Sequence, residues 1–144
     1  MAKSSKSTSK VFSDAEMEAM QETKLERKRR NNKEESLKAC LAKIKEMKGN
    51  DRELAEKIHS IVTTIAPGLT PSTWYGMPAY TNENGKAVCF FTAAGKFKAR
   101  YASFGFNEFA KLDDGNMWTT AFAVIKIGDA EEKKIAALVK KAAG

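Results

Sequence analysis

The first half of the chain carries apolar residues at helical spacing. Ser13 and Glu16 form a capping-box pattern, which predicts that a helix begins there. Asn32 and Glu35 repeat the pattern and predict a second helical segment that ends at Lys48-Gly49. The apolar positions of that second segment are Leu37, Cys40, Leu41, Ile44 and Met47.

A stronger helical pattern follows. The polar run 50–53 is a predicted helix start, and Ala66-Pro67-Gly68 is a predicted end. Near the C-terminus, Gly128-Asp129 is predicted to cap a last helix. Both helices have one apolar face, as expected for helices that pack on a core. The residues of these faces are Leu54, Ile58, Ile61, Val62 and Ile65 in the former, and Ile135, Leu138 and Val139 in the latter.

Between these helices the pattern is typical of strands. Turn signals at 82–85 and 93–95 flank the run 86–91, whose two apolar faces predict a central strand. The run 96–101 alternates basic and apolar residues and predicts a half-exposed strand, and 118–127 is a further predicted strand. The order predicts an α+β fold, an antiparallel sheet meander packed by helices with an N-terminal helical arm.

Charge separates the chain into regions. The net charge is +7, and residues 1–50 hold 13 lysines and arginines against 8 acidic residues, so the basic excess lies mainly there. We therefore expect a disordered basic tail over 1–12, a helical arm over 13–48 and an α+β domain over 51–144.

Composition also bears on the compartment. No apolar run approaches the ~20 residues that cross a bilayer, and no apolar segment follows the basic N-terminus. Cys40 and Cys89 are far apart in sequence and form no CxxC pair. These features predict a cytoplasmic protein with two free thiols and no membrane partner.

Motifs of catalysis are missing from the sequence. There is one histidine, His59, and neither a phosphate-binding GxxxxGK[ST] loop nor a dinucleotide-binding GxGxxG is present. We therefore expect a non-enzymatic protein, in which His59 is a surface or half-buried helical residue rather than a ligand.

The segment 74–80, Trp-Tyr-Gly-Met-Pro-Ala-Tyr, is the most unusual in the chain. Three large aromatic residues around a glycine and a proline are typical either of a bent strand that fills the core or of a pocket wall. With nearby cationic and aromatic positions, they give the candidate pocket residues Trp74, Tyr75, Met77, Pro78, Tyr80, Lys98, Arg100 and Tyr101.

Several basic side chains are candidates for binding an anion. Lys96, Lys98 and Arg100 are expected to share one face of the strand over 96–101, where they either meet a phosphate or are simply solvated. The run Arg27-Lys28-Arg29-Arg30 in the arm adds a candidate contact to nucleic acid, although glutamates surround it.

Asp113 and Asp114 are the candidate metal ligands. They lie in a predicted turn, where adjacent acids are commonly turn formers. A hard cation would require several such oxygen ligands to converge.

Four stretches together resemble the YdhG-like bacterial domains, a family of unknown function with members described as frataxin-like iron chaperones. The first, 74–80, is the most specific, and the match covers roughly residues 51–142. The resemblance implies an antiparallel sheet packed by helices, with iron as a cargo and iron–sulfur assembly proteins as partners. The remaining stretches are 85–91, 96–101 and Leu112-Asp113-Asp114-Gly115.

Two functions follow as hypotheses. The first is a small cytoplasmic binding domain that acts as an iron chaperone, as the resemblance implies. The alternative is an anion-binding or nucleic-acid-binding module that uses the basic strand face and the helical arm. The sequence leaves the oligomeric state open.

Overall fold

The computed structural model describes residues 32–144 and shows an α+β fold in this part of the chain. Its five strands form one sheet in the order β1-β2-β3-β4-β5 with every pair antiparallel, which confirms the predicted meander. The elements in chain order are α1 (Lys33–Glu46), α2 (Gly49–Ile65), β1 (Thr70–Trp74), β2 (Met77–Thr81), β3 (Ala87–Thr92), β4 (Ala102–Phe106), β5 (Ala121–Val124) and α3 (Asp129–Ala143).

Two of the three described helices begin at the residues that the sequence predicts as caps. The Asn32 side chain accepts hydrogen bonds from the backbone N–H groups of Glu34 and Glu35, so this predicted cap is confirmed. At α3, Glu131 Oε1 accepts from the Gly128 N–H. The predicted cap over 50–53 is wrong, because α2 begins earlier, at Gly49, with no side-chain cap.

The core lies between one face of the sheet and the helices. Phe91 of β3 stands opposite Phe104 of β4, and both are fully buried on this face. The apolar face of α2 joins the same core cluster, as its periodicity predicts, except that Ile65 is exposed. The order confirms that β3 is the central strand of the sheet, with β2 and β4 as its neighbours.

The turn over 82–85 forms as predicted. Asn82 Oδ1 accepts hydrogen bonds from the Asn84 and Lys86 N–H groups, and Gly85 has a φ of 74°. Such a side-chain-to-backbone closure is the usual reason for asparagine at a turn start. The turn joins β2 to β3 at one end of the sheet.

The predicted strand over 96–101 is wrong. This segment holds a short 3₁₀ turn over Gly95–Phe97, followed by Lys98 in the left-handed region at a φ of 52°. The Ala99 N–H closes the loop onto the Ala94 carbonyl, so the tight hairpin expected at 93–95 is replaced by a longer connection between β3 and β4. The alternation of basic and apolar residues in this segment therefore does not correspond to a pleated strand.

The last strand is shorter than predicted, covering Ala121–Val124 instead of 118–127. Trp118 precedes it in an exposed segment, and Ile127 is buried after the strand has ended. The apolar run is therefore shared between an edge strand and its flanks.

Part of the expected arm belongs to the same core. Helix α1 packs against β1 and β2, and its Ser36, Cys40 and Ile44 are buried. The predicted helix start at Ser13 and the basic run 27–30 lie outside the described residues. Within 32–144, no helix has the length and apolar character needed to span a bilayer.

Candidate nucleic-acid interface

The unusual segment 74–80 forms the β1–β2 hairpin. Tyr75 and Gly76 make its two-residue turn with φ values of 50° and 77°, the positive pair that a type I′ turn requires. The two earlier interpretations, core strand or pocket wall, each fit only part of the segment. Pro78 and Tyr80 are buried in the core, whereas Trp74 is half-buried and Tyr75 is 59% exposed.

The connection between β3 and β4 carries a run of exposed aromatic and basic side chains. All seven residues from 95 to 101 are exposed, and the rings of Phe97 and Tyr101 are 57% and 38% exposed. Each ring lies beside a cation: Lys96 Nζ is 5.7 Å from the centre of Phe97, and the Arg100 guanidinium is 5.3 Å from that of Tyr101. Exposed rings and cations therefore alternate along one loop.

The hairpin turn and this loop lie at the same end of the sheet. Met77 pairs with Trp74, and Thr92 Oγ1 donates a 3.1 Å hydrogen bond to the Met77 sulfur, which fixes β3 beside the turn. Lys96 Nζ lies 3.4 Å from the point where a Cβ atom would stand on Gly76. We call the combined patch the aromatic–cationic surface, and it consists of Tyr75, Lys96, Phe97, Lys98, Arg100 and Tyr101.

This surface has a strong positive charge for its size. Lys96, Lys98 and Arg100 fall within five residues, and none of the ion pairs among residues 32–144 involves them. Exposed cations without acidic partners attract an anion over a distance set by salt screening. The surface therefore offers charge for phosphates and rings for planar groups.

Asp51 holds the loop in place. Its two carboxylate oxygens accept hydrogen bonds of 3.1 and 2.9 Å from the backbone N–H groups of Ala94 and Gly95. Asp51 lies in the polar run 50–53 that predicts the start of α2. Its actual role ties the start of α2 to the loop that bears the exposed rings, which limits the entropy that binding must remove.

Asp51→Ala is expected to loosen this loop. Loss of two hydrogen bonds to a charged acceptor should lower the free energy of unfolding by about 1–3 kcal/mol. Urea denaturation measures the loss, and hydrogen exchange of the Ala94 and Gly95 amides should quicken in parallel. Asp113→Ala, at an exposed site, is the control and should leave both unchanged. Unchanged exchange at these two amides in Asp51→Ala would contradict the assigned role.

The open face of the sheet continues the surface away from the turn. The Trp74 ring lies 4.7 Å from that of Tyr75 and 4.8 Å from that of Phe90, measured between centroids. The Phe90 ring covers Gly105, where an added Cβ would meet Cζ of the ring at 2.5 Å. Glycine thus lets Phe90 lie flat across β4, and a row of rings extends from the turn onto the sheet.

On the opposite, buried side of the sheet, Tyr80 belongs to a polar cluster. Its hydroxyl lies 2.9 Å from His59 Nδ1 and is hydrogen-bonded to the Cys40 thiol. Burial raises the pKa of Cys40 to about 12, and it raises the pKa of Cys89 and of Tyr80 as well. Both thiols are free and buried, so they stay protonated at neutral pH and are poor nucleophiles and metal ligands there.

His59 should make stability depend on pH. The residue is half-buried, as expected, and burial lowers its pKa below the usual 6.5. The unfolded chain therefore binds a proton more readily, so the contribution of His59 is complete above pH ~6.5 and is lost as pH falls further. Urea denaturation at pH 7.5 and 5.5 should show a larger loss in the wild type than in His59→Gln. Equal losses in the two proteins would contradict this expectation.

The remaining candidate residues do not assemble into a metal site in the described part of the chain. Asp113 and Asp114 are exposed in the loop between β4 and β5. Residues 32–144 contain no group of three or more His, Cys, Asp or Glu side chains placed to hold a metal ion. The iron-chaperone function stays a prediction.

The structure thus places the residues of the predicted pocket in three different parts of the fold. Lys98, Arg100 and Tyr101 lie in the loop, Trp74 and Tyr75 at the hairpin turn, and Pro78 and Tyr80 inside the core. Lys96, a predicted anion contact, and Phe97, which no sequence motif singled out, complete the surface. The predicted strand over 96–101 places Phe97 on the face opposite the basic side chains, whereas the loop exposes the ring together with them.

The arrangement has the two components found in binding sites for unpaired nucleotides. Aromatic rings stack on bases, and nearby cations neutralise the phosphates that link them. Comparison of the chain with protein-family models, with curated proteins and with solved structures finds no match. The resemblance to the YdhG-like domains therefore stays a prediction, and the function is argued from the surface itself.

Proposed function

We propose that this protein is a non-enzymatic module that binds single-stranded nucleic acid through its aromatic–cationic surface. The observation that carries the proposal is the loop 95–101, in which two exposed rings alternate with three cations that have no ion-pair partner among residues 32–144. Tyr75 adds a third ring at the adjoining turn.

Unpaired strands fit this surface better than a duplex does. Rings at a loop and a turn tip can stack only on bases that are not already stacked on both sides. No helix or two-stranded ribbon in the described part presents the three cations, as direct reading of a major groove would require. Stacking and phosphate contacts are sequence-tolerant, so we expect little preference among bases.

Salt dependence tests the proposal. A fluorescein-labelled 12-nucleotide DNA strand is titrated with the full chain at 50–200 mM KCl, and binding is followed by fluorescence anisotropy. If three cations each neutralise a phosphate, the logarithm of the association constant should fall against log[KCl] with a slope of about −2. A duplex of the same sequence should bind less tightly.

A charge-matched pair of variants locates the effect. Lys96→Gln/Lys98→Gln/Arg100→Gln should weaken binding and flatten the slope. The control Lys111→Gln/Lys140→Gln/Lys141→Gln removes the same charge at the other end of the molecule, where the Lys111 N–H bonds to the Ala142 carbonyl, and should behave as the wild type. No saturable binding at 50 mM KCl, or equal losses in the two variants, would contradict the proposal.

A further inference from the structure

A groove separates the last strand of the sheet, β5, from helix α3. The helix packs against α2, and no further strand or helix in the described part of the chain fills the space beside β5. The groove has a volume of about 370 Å³, which lies within the range of roughly 300–1,000 Å³ that is usual for small-molecule sites. It is therefore large enough for a small ligand.

The interior of the groove is mostly apolar. Phe104 and Ile135 line it from the buried core, and Phe122 and Leu138 line it as half-buried side chains. Ile125 stands at its border with 70% of its surface exposed. An apolar chain that displaces water from these side chains is stabilised by the hydrophobic effect.

Two cations border the same groove. Lys126 follows the end of β5 by two residues, and Lys134 lies in the second turn of α3. Neither lysine takes part in an ion pair within residues 32–144. Lys134 Nζ lies 5.7 Å from the centre of the Phe122 ring, so one of the two charges stands directly beside the apolar wall.

Glu131 is the one acidic side chain among the described residues that line the groove, and it is bonded elsewhere. Its Oε1 accepts a 2.9 Å hydrogen bond from the Gly128 N–H at the start of α3. A carboxylate in the first turn of a helix is also stabilised by the helix dipole. Two lysines against one glutamate leave the groove with a charge of +1, which favours an anion over a cation.

The charged and apolar side chains are separated along the groove. Strand β5 and helix α3 are joined directly by residues 125–128, so both lysines lie near this connection. Phe122 precedes Lys126 by four residues, and Leu138 follows Lys134 by four residues, or about 6 Å along the helix. The groove is therefore cationic near the connection and apolar away from it, which is the order of an amphipathic anion with one chain.

We propose that this groove binds a medium-chain fatty acid. The carboxylate lies between Lys126 and Lys134, and the alkyl chain extends toward Phe122 and Leu138. A neutral chain of the same length makes the apolar contacts only, and a cationic one is repelled by both lysines. None of the residues of the aromatic–cationic surface lines the groove, so this proposal does not depend on nucleic-acid binding.

Amide-resolved NMR of the labelled full chain, titrated with sodium octanoate to 10 mM in 50 mM KCl, tests the proposal. Saturable shift changes are expected at 122–126 and 131–138. 1-Octanol and octyltrimethylammonium chloride serve as neutral and cationic probes of the same chain length. Each should bind at least about 5-fold more weakly than octanoate, because two partly exposed charge contacts are lost.

A charge-matched pair of variants locates the carboxylate. Lys126→Gln/Lys134→Gln should weaken octanoate binding about 5-fold and leave 1-octanol binding unchanged, and since both lysines are exposed we expect the variant to fold. The control Lys133→Gln/Lys140→Gln removes two exposed charges of α3 that do not line the groove, and it should bind octanoate as the wild type does.

Three results would overturn the proposal. The first is the absence of saturable shift changes at 122–126 and 131–138 with octanoate. The second is 1-octanol or octyltrimethylammonium binding as tightly as octanoate. The third is equal octanoate affinity in the two variants.

Discussion

Removing two exposed rings, with Tyr75→Asn and Phe97→Ala combined, is expected to weaken binding of the 12-nucleotide strand at least about 30-fold. A stacked base contributes roughly 1–3 kcal/mol per ring, so two rings supply about 2 kcal/mol or more. Asparagine is chosen at position 75 because it tolerates the positive φ of the turn. Anisotropy at fixed salt measures the loss.

The slope of affinity against salt separates stacking from charge. Because the double variant keeps all three cations, its slope should match that of the wild type although its affinity is lower. Phe109→Ala is the matched control, since Phe109 is 40% exposed in a groove with Asn82 and Asn84, near the β2–β3 turn. A double variant that binds as tightly as Phe109→Ala would contradict stacking on the aromatic–cationic surface.

Phe104→Ala is expected to lower the free energy of unfolding by about 3–5 kcal/mol. Phe104 is fully buried, stands opposite Phe91 and makes an edge-on contact with Phe106 at 4.9 Å between centroids. Truncation loses the transfer free energy of the ring and leaves a cavity that the sheet can close only in part. Urea denaturation with a fixed slope against denaturant measures the change.

A second phenylalanine provides the control for this loss. Phe97 is exposed in the loop, so Phe97→Ala should change stability by no more than about 0.5 kcal/mol. The pair therefore distinguishes a ring used for packing from a ring used for binding. Similar stability losses in the two variants would contradict the assignment of Phe97 to the surface.

Local signals in the sequence were sufficient for most of the fold. Asn32, the 82–85 turn and the face of α2 each depend on contacts within a few residues, and each formed as expected. The order of helices and strands then leaves an antiparallel meander as the simplest arrangement. Predictions of this kind succeed where neighbouring residues alone determine the conformation.

Distant contacts account for the errors. The loop 95–101 has the alternation of a strand, but Asp51, more than 40 residues earlier, binds the backbone at Ala94 and Gly95. No sequence pattern within either segment predicts the contact between the Asp51 carboxylate and these two amides. Only the structure therefore shows the conformation of the loop and the exposure of Phe97.

Segment 74–80 shows the same limit in the candidate site. Its glycine and aromatic residues marked it as unusual, and Trp74 and Tyr75 do lie at the surface. Which rings would point inward depended on the hairpin register, in which Trp74 stands opposite Met77. A one-residue shift would exchange the faces of all these side chains.

Amide-resolved NMR of the labelled full chain, titrated with the unlabelled 12-nucleotide strand, shows directly where the strand binds. We expect the largest shift changes among residues 32–144 at 74–76 and 95–101. The indole N–H signal of Trp74 should move, and that of Trp118 should stay unchanged. Shift changes centred elsewhere, or none at saturating strand, would contradict the assignment of nucleic-acid binding to the aromatic–cationic surface.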